Sequence, residues 1–549
     1  MKTPIFIFIL FLSLSLSSTA QLLAQKTTYS KADSLRGSLT SPYRTCYNIN
    51  YYHLNVRINP VEKSISGSNL FKFTATTNFK TLQFDLFENL NIEKVLHHGK
   101  SLKFTRLYNA VFLTFEEEIT KGKLDSFNVY YSGKPKIAKN APWDGGFVFD
   151  KTATKEDWIA TACQGLGASS WWPNKDQQSD EVDSALISIA VPNRIIDVSN
   201  GRLIAKQDLK NGYTQYDWKV SNPINNYGIA VNAANYSHFS DVYRGLKGSL
   251  SLDYYVLPQN LKKAKKQFTD VKRMLEAFEH WFGAYPFYKD GYKLVESPYL
   301  GMEHQSAIAY GNNYQKGYLG KDLSGTGWGL KWDFIIVHES GHEWFGNNIT
   351  AKDIADMWIH ESFTNYAEGL FTEYWYGKNA GAEYVIGLRK NILNDQPIIG
   401  DYGVNKEGSA DMYYKGANML HTIRQVVNND AKWRTILTGL NTTFGKKTCT
   451  GEQVIAYFNQ KSGLNLTPIF YQYLKFRNIP ILQLRQNGKR VECRWLTNLS
   501  DFDMPLQLNN KPHTWIKPSK SWSTIPAVSD VNRVEIKKDF YIETKILEN

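Results

Sequence analysis

Two regimes of hydrophobic spacing divide the chain. Over residues 47–248, short alternating runs recur between polar turns: YHLNVRI, NLFKFTATT, TLQFDLF, NAVFLTF and FNVYYSG. Period-two patterning places alternate side chains on one face of a strand, so a large antiparallel β domain is predicted over residues 46–250. Around Pro258 the period changes. In NLKKAKKQFTDVKRMLEAFEHWFG, Phe268, Val271, Leu275, Phe278 and Phe282 recur at three- and four-residue spacing, which predicts an amphipathic helix. Its Lys262, Lys263, Lys265 and Lys266 fall on the solvated side. A strand is expected over residues 292–299, and helical text then runs to about Arg477, so a mostly helical domain is expected over residues 251–477. Beyond it, ILQLRQNGKRVECRW reads as two alternating strands joined at Asn487-Gly488, a strong hairpin signal. LQLNNKPHTWI and VEIKKDFYIETKI continue in that style, and residues 478–549 read as a small β-sandwich. The fold class expected is multidomain α+β.

The first residues carry a different pattern. MKTPIFIFILFLSLSLSSTA has Lys2, an apolar core over residues 5–16, and small residues ending at Ala20. That is the layout of a secretory signal peptide, residues 1–20, and the apolar run is short for a bilayer span. No cysteine follows the expected cut, so lipid attachment is not expected there. Residues 21–45 are polar and read as a tether. No later run is long enough to cross a membrane. The expectation is an exported protein, periplasmic or secreted. Four dispersed cysteines, Cys46, Cys163, Cys449 and Cys493, suit neither a disulfide scaffold nor a thiolate metal site, and their three possible pairings stay open. Of five N-x-S/T sequons, Asn348 falls at the end of a helix where a glycan would collide with packing, which favours a bacterial export route. The net charge of +12 raises the question of an anionic partner, but the lysines are scattered and no Arg-rich run is present, so nucleic acid is not expected.

The chemistry gathers in residues 334–368, FIIVHESGHEWFGNNITAKDIADMWIHESFTNYAE. His338 and His342 are four apart, so on a helix both imidazoles leave one face. Glu339 completes H-E-x-x-H, whose histidines hold zinc and whose glutamate acts as the base toward water. The apolar run over residues 334–337 accounts for a buried helix but not for three polar groups inside it, which would be expensive to bury without partners. Nineteen residues past His342, Glu361 supplies a carboxylate for a two-histidine, one-glutamate site with an open fourth position. Glu368, seven residues further, lies on nearly the same helical face. It either orients a metal ligand or forms a structural ion pair.

The spacing H-E-x-x-H, eighteen residues, then E resembles that of the gluzincin zinc aminopeptidases, the aminopeptidase N-like family with its leukotriene hydrolase-type relatives. That family usually writes HExxHQWFGN and WLNEGFAxYxE where this chain has HESGHEWFGN and WIHESFTNYAE. Ser340, Gly341 and Glu343 depart from the common residues, Gly341 at a helix-propensity cost of about 1 kcal/mol. The resemblance implies an N-terminal β domain, a thermolysin-like catalytic domain and one zinc per chain. It also implies that Gly301-Met302-Glu303, the family's G-x-M-E motif, lines the cleft on an edge strand, with Glu303 gripping the free α-ammonium of a peptide. Gln164, in WIATACQGLGASSWWPNKD, matches a position that contacts the same amino end. His304 stands where the family has asparagine. In DMYYKGAN, matched to Y-x-K-G-A, Tyr413 rather than Tyr414 is the tyrosine that stabilises the oxyanion. Many members add a large helical domain after the sandwich. None is expected here, which implies a more open cleft.

The function implied is removal of N-terminal amino acids from peptides with a free amino terminus. Alternatives on the same apparatus are an endopeptidase or an epoxide hydrolase. A third is a binding protein with a vestigial metal site, although no ligand or base is missing. Side-chain preference and oligomeric state are not legible.

Overall fold

The alternation at the start of the β region is realised in strand Tyr47–Asn59, where Tyr52, Leu54, Val56 and Ile58 are buried and their neighbours half-buried. The computed structural model describes residues 28–510 and 514–548, so the signal peptide expected over residues 1–20 lies outside the described residues. Around that strand grows an eight-stranded sheet. Its spatial order is Arg202–Asp208, Tyr213–Val220, Ser184–Pro192, Tyr47–Asn59, Ser64–Ala75, Leu124–Gly133, Leu90–His97 and Lys100–Ser101. The pairing is antiparallel except where Tyr47–Asn59 runs parallel to Ser184–Pro192, in the register Leu54 to Ile187. A three-stranded sheet, Phe79–Asp85, Ala110–Ile119 and Lys103–Leu107, helps enclose an aromatic core in which Phe71 and Phe127 stack at 4.4 Å.

The expectation of a tether over residues 21–45 is corrected from residue 28 onward. Ser30 caps helix Lys31–Gly37 through a reciprocal capping box with Asp33, and a second short helix, Pro42–Thr45, follows. Arg44 is fully buried and pairs with Asp85 at 2.5 Å. Its polarity is consumed in the interior, where an unpaired charge would be prohibitive.

A five-stranded sheet joins the β region to the helices, in the order Ser237–Gly245, Gly248–Val256, Tyr292–Glu296, Ile308–Tyr310 and Gly301–Met302. Gly301–Met302 is its edge. The single amphipathic helix expected near residue 268 is two, Leu261–Gln267 and Thr269–Phe282. The break falls at Phe268, whose ring packs 5.0 Å from Tyr310 and 5.3 Å from Tyr254 on the sheet. Behind the sheet stand the helices Phe334–Gly341, Trp358–Tyr376, Lys378–Gly387 and Tyr414–Val427.

At the C-terminal end, Ile481–Asn487 and Arg490–Leu496 form the expected hairpin, flanked by Glu543–Ile546 and Ser523–Thr524. Leu482, Leu484 and Trp495 are buried in the same contiguous core as the helices. Most of VEIKKDFYIETKI is not strand, because only Glu543–Ile546 finds a partner strand and Ile536 makes a single bridge to Leu508. All four cysteines are buried and free. Among the described residues, no helix is long and apolar enough to cross a membrane.

Candidate active site

Asp333 starts the first site helix. Its buried carboxylate accepts the Ile336 N–H at 3.2 Å, and Tyr310 and Gln267 donate to the same carboxylate at 2.7 and 2.6 Å. That anchorage fixes how helix Phe334–Gly341 is rotated, and with it the shared face of His338 and His342, whose ring centres are 5.1 Å apart. His338 Nδ1 donates to Glu368 Oε1 at 2.7 Å, and His342 Nδ1 to the Phe345 carbonyl at 2.9 Å. Both partners are acceptors only, so in the neutral ring each Nδ1 carries the proton and each Nε2 presents a lone pair.

Those two Nε2 atoms converge on Glu361 Oε2, at 3.8 and 3.4 Å. That oxygen is buried with no hydrogen-bond donor among the described residues. The three ligand atoms lie within 4.8 Å of one another. Such a set is repulsive unless a cation sits between its members, and two imidazoles with one carboxylate suit zinc. The carboxylates around the rings make a field that favours positive charge, a proton or a metal ion. Burial alone would lower both imidazoles, but the Glu368 bond holds His338 above its ordinary value and the Glu361 charge takes His342 up to about 10. Burial pushes Glu339 up to about 7, with the two histidines opposing the rise.

The second wall of the site is the sheet edge. A Cβ on Gly301 would lie 2.6 Å from Glu339 Oε1, so the missing side chain is what allows the strand so close to that carboxylate. Glu303 is 2% exposed. Gln164 Nε2, from the β region, donates to its Oε1 at 2.6 Å, and Asn347 Nδ2 donates to its carbonyl at 2.8 Å. Tyr413 stands just before helix Tyr414–Val427, its ring centre 6.1 Å from that of His338. Ser362 holds it there by donating to the Met412 carbonyl at 2.7 Å. Gly416 makes room, since a Cβ would fall 1.9 Å from Ser362 Oγ. A cleft of about 580 Å³ is lined by every site residue expected from the sequence, from Gln164 and Met302 to Glu361 and Tyr413.

The departures from the family pattern have structural partners. Ser340 bonds the Tyr292 hydroxyl at 2.8 Å, and Glu343 accepts from Tyr285 and from the Ser306 N–H at 2.7 and 2.8 Å. Gly341 lets the next helix approach, because a Cβ there would lie 3.0 Å from Thr364 Cγ2. His304 is buried, does not line the cleft, and is pushed down to about 3 by burial, so it stays neutral.

Two profiles of one family match the chain, "Peptidase M1 N-terminal domain" over residues 48–227 and "Peptidase family M1 domain" over residues 267–473. The chain belongs to peptidase family M1. Among similar M1 sequences, the leucyl aminopeptidase of Saccharolobus solfataricus is 20% identical over 426 residues, covering 73% of this chain and 50% of the relative. The aminopeptidase N of Lactobacillus helveticus is 22% identical over 480 residues, covering 80% and 52%. The chain thus spans about half the length of these two curated relatives. The M1 zinc metallopeptidase of Deinococcus radiodurans shares the fold, with a TM-score of 0.65 at 18% identity over 79% of this chain and 94% of that one.

Not every contact of this M1 site is legible in sequence. Asn365 Nδ2 and the Tyr384 hydroxyl donate to the two Glu368 oxygens at 2.9 and 2.7 Å. Asn365 is signalled by its place three residues before Glu368 on one helix. Tyr384 arrives from helix Lys378–Gly387, and no local pattern marks it.

Proposed function

We propose that this M1 chain is a zinc-dependent aminopeptidase that removes N-terminal residues from peptides. The observation that carries the reading is the Glu303–Gln164 pair beside Glu339 and the His338, His342 and Glu361 cluster. Glu303 is a buried carboxylate that lines a cleft of about 580 Å³. Zinc held by His338, His342 and Glu361, one per chain, would lower the pKa of water and polarise the scissile carbonyl. Glu339 takes the proton from water and passes it to the leaving amine, base first and acid second. Tyr413 donates its hydroxyl hydrogen to the oxygen that gains charge as the carbonyl is attacked. Glu303 pairs with the substrate α-ammonium while the Gln164 amide holds the carboxylate in place.

An interior segment or a blocked terminus brings no cation to Glu303 and leaves its carboxylate buried and unpaired, which argues against endopeptidase action. The signal-like residues 1–20 support an exported enzyme, periplasmic or secreted, and a mature N-terminus read from the exported protein checks this. The activity is tested with an amino-acid anilide and its N-acetylated twin. The free amine is turned over, the blocked twin is not, and chelation stops the reaction until zinc is restored. Glu339→Gln lowers kcat by about 10²–10⁴-fold while zinc content is unchanged. Equal hydrolysis of both anilides would overturn the reading.

A further inference from the structure

The N-terminal helix Lys31–Gly37 lies ahead of the M1 match, which begins at residue 48, yet it touches two segments that line the cleft. Arg36 Nη2 donates to the Gly165 carbonyl at 3.1 Å and lies 3.8 Å from Asp176 Oδ2. Gly165 directly follows Gln164. Its carbonyl also accepts from Asn405 Nδ2 at 3.3 Å, and Asn405 belongs to a loop of the helical body that also lines the cleft. Gly37 is tucked under that loop, where a Cβ would meet the Asn405 nitrogen at 2.4 Å and Val404 Cα at 2.5 Å. The Tyr29 hydroxyl donates to Asp401 in the same loop. One carbonyl is therefore the meeting point of three segments, one residue away from the amide that donates to Glu303.

Within the turn that carries Gln164, the Leu166 N–H donates to the Gln164 carbonyl and the Gly167 N–H to the Cys163 carbonyl, both at 2.7 Å, while the Gly165 carbonyl between them is held from outside the turn. Gly165 and Gly167 have φ of +71° and +98°, which suit glycine. A Cβ on Gly165 would meet nothing within 4 Å, so packing does not locate that residue. At Gly167 the space a side chain would need is taken by Arg36 Nη2 and Asp176 Oδ2, each 2.2 Å from an ideal Cβ. Asp176 fixes the far end of the turn by accepting the Ser169 N–H at 3.2 Å. At the Gln164 end, the restraint on the Gly165 carbonyl comes from Arg36 and Asn405.

We propose that Arg36 is a positioning residue for the substrate-ammonium site, acting through Gln164, and that helix Lys31–Gly37 ties the Gln164 turn to the loop that carries Asn405. The proposal rests on the aminopeptidase reading. A guanidinium that only orients Gln164 affects how well the α-ammonium is gripped, in the ground state and the transition state alike, so its loss raises KM and leaves kcat nearly unchanged.

The experiment compares steady-state kinetics of wild type, Arg36→Ala, Arg36→Lys, Gln164→Ala and the Arg36→Ala/Gln164→Ala double variant on a free-amine anilide, with thermal midpoints alongside. Arg36→Ala raises KM about tenfold, the scale of one hydrogen bond to a charged group, with kcat within about twofold. Arg36→Lys, which still reaches a carbonyl, recovers part of the loss. In the double variant KM is no higher than in Gln164→Ala alone, because the two act in series. Unchanged KM in Arg36→Ala, or the full rise appearing again on the Gln164→Ala background, overturns the proposal while the aminopeptidase reading stands. A wild type that does not discriminate free from blocked amines overturns both.

Discussion

Glu368 carries two buried contacts that its sequence position leaves open. Its Oε1 receives His338 Nδ1 at 2.7 Å and its Oε2 receives the Tyr384 hydroxyl at 2.7 Å, which fixes the imidazole's tautomer and aim together. Glu368→Gln keeps an acceptor but loses the charge. It should weaken zinc retention by about 10–100-fold in competition with a chelator, while the unfolding midpoint stays near wild type. An unchanged affinity would reduce Glu368 to a structural ion-pair partner. Gly301 and Gly416 illustrate the complementary case, where function at this scale depends on an absent side chain. The cleft strand meets Glu339, and the tyrosine helix meets Ser362, at distances no Cβ tolerates.

Among the elements, the periodic ones were legible and the short polar ones were not. Strand Tyr47–Asn59 and helix Thr269–Phe282 announce themselves because burial on one face repeats every two or every 3.6 residues. The helix Pro42–Thr45 has no such repeat, and its Arg44 becomes interior through distant partners, Asp85, 41 positions away, and Gln177, 133 away. Asp85 also accepts Gln83 Nε2 and the Asp176 N–H, both at 3.0 Å, so its carboxylate is well supplied with donors. Arg44→Met removes the cation and leaves the carboxylate buried. The expected loss is about 3–5 kcal/mol, read from urea unfolding. A loss below 1 kcal/mol would show that the N-terminal segment is not part of the folded unit. Helix Phe334–Gly341 accepts an unfavourable Gly341 because close approach of helix Trp358–Tyr376 is needed to bring Thr364 to His342 Nδ1, at 3.2 Å, and Glu361 to both rings.

For the whole molecule, the junction between the β region and the helical body contains a carboxyl group of its own. Glu181, just ahead of strand Ser184–Pro192, accepts from the Thr350 hydroxyl in strand Ile349–Ala351, and burial raises it to about 8 against that bond. The folded state keeps this proton up to about pH 8, whereas the unfolded chain releases it near its ordinary value, about 4.3. The unfolded state therefore binds fewer protons across that window, and stability falls as pH rises through it. Glu181→Gln removes this slope and is the more stable protein at pH 8. Urea midpoints at pH 5.5 and pH 8 check it, and identical slopes in both proteins would refute it. What sequence by itself determined is the chemistry that local geometry dictates: two imidazoles one helical turn apart, the adjoining base, and the alternation of the strands. Tertiary structure alone decided how the distant groups named by the resemblance come together, and added Arg36, which the resemblance did not name. Gln164 reaches Glu303 across 139 residues and Arg36 reaches Gly165 across 129. Such contacts depend on how separately folded surfaces meet, and no period in the chain encodes that meeting.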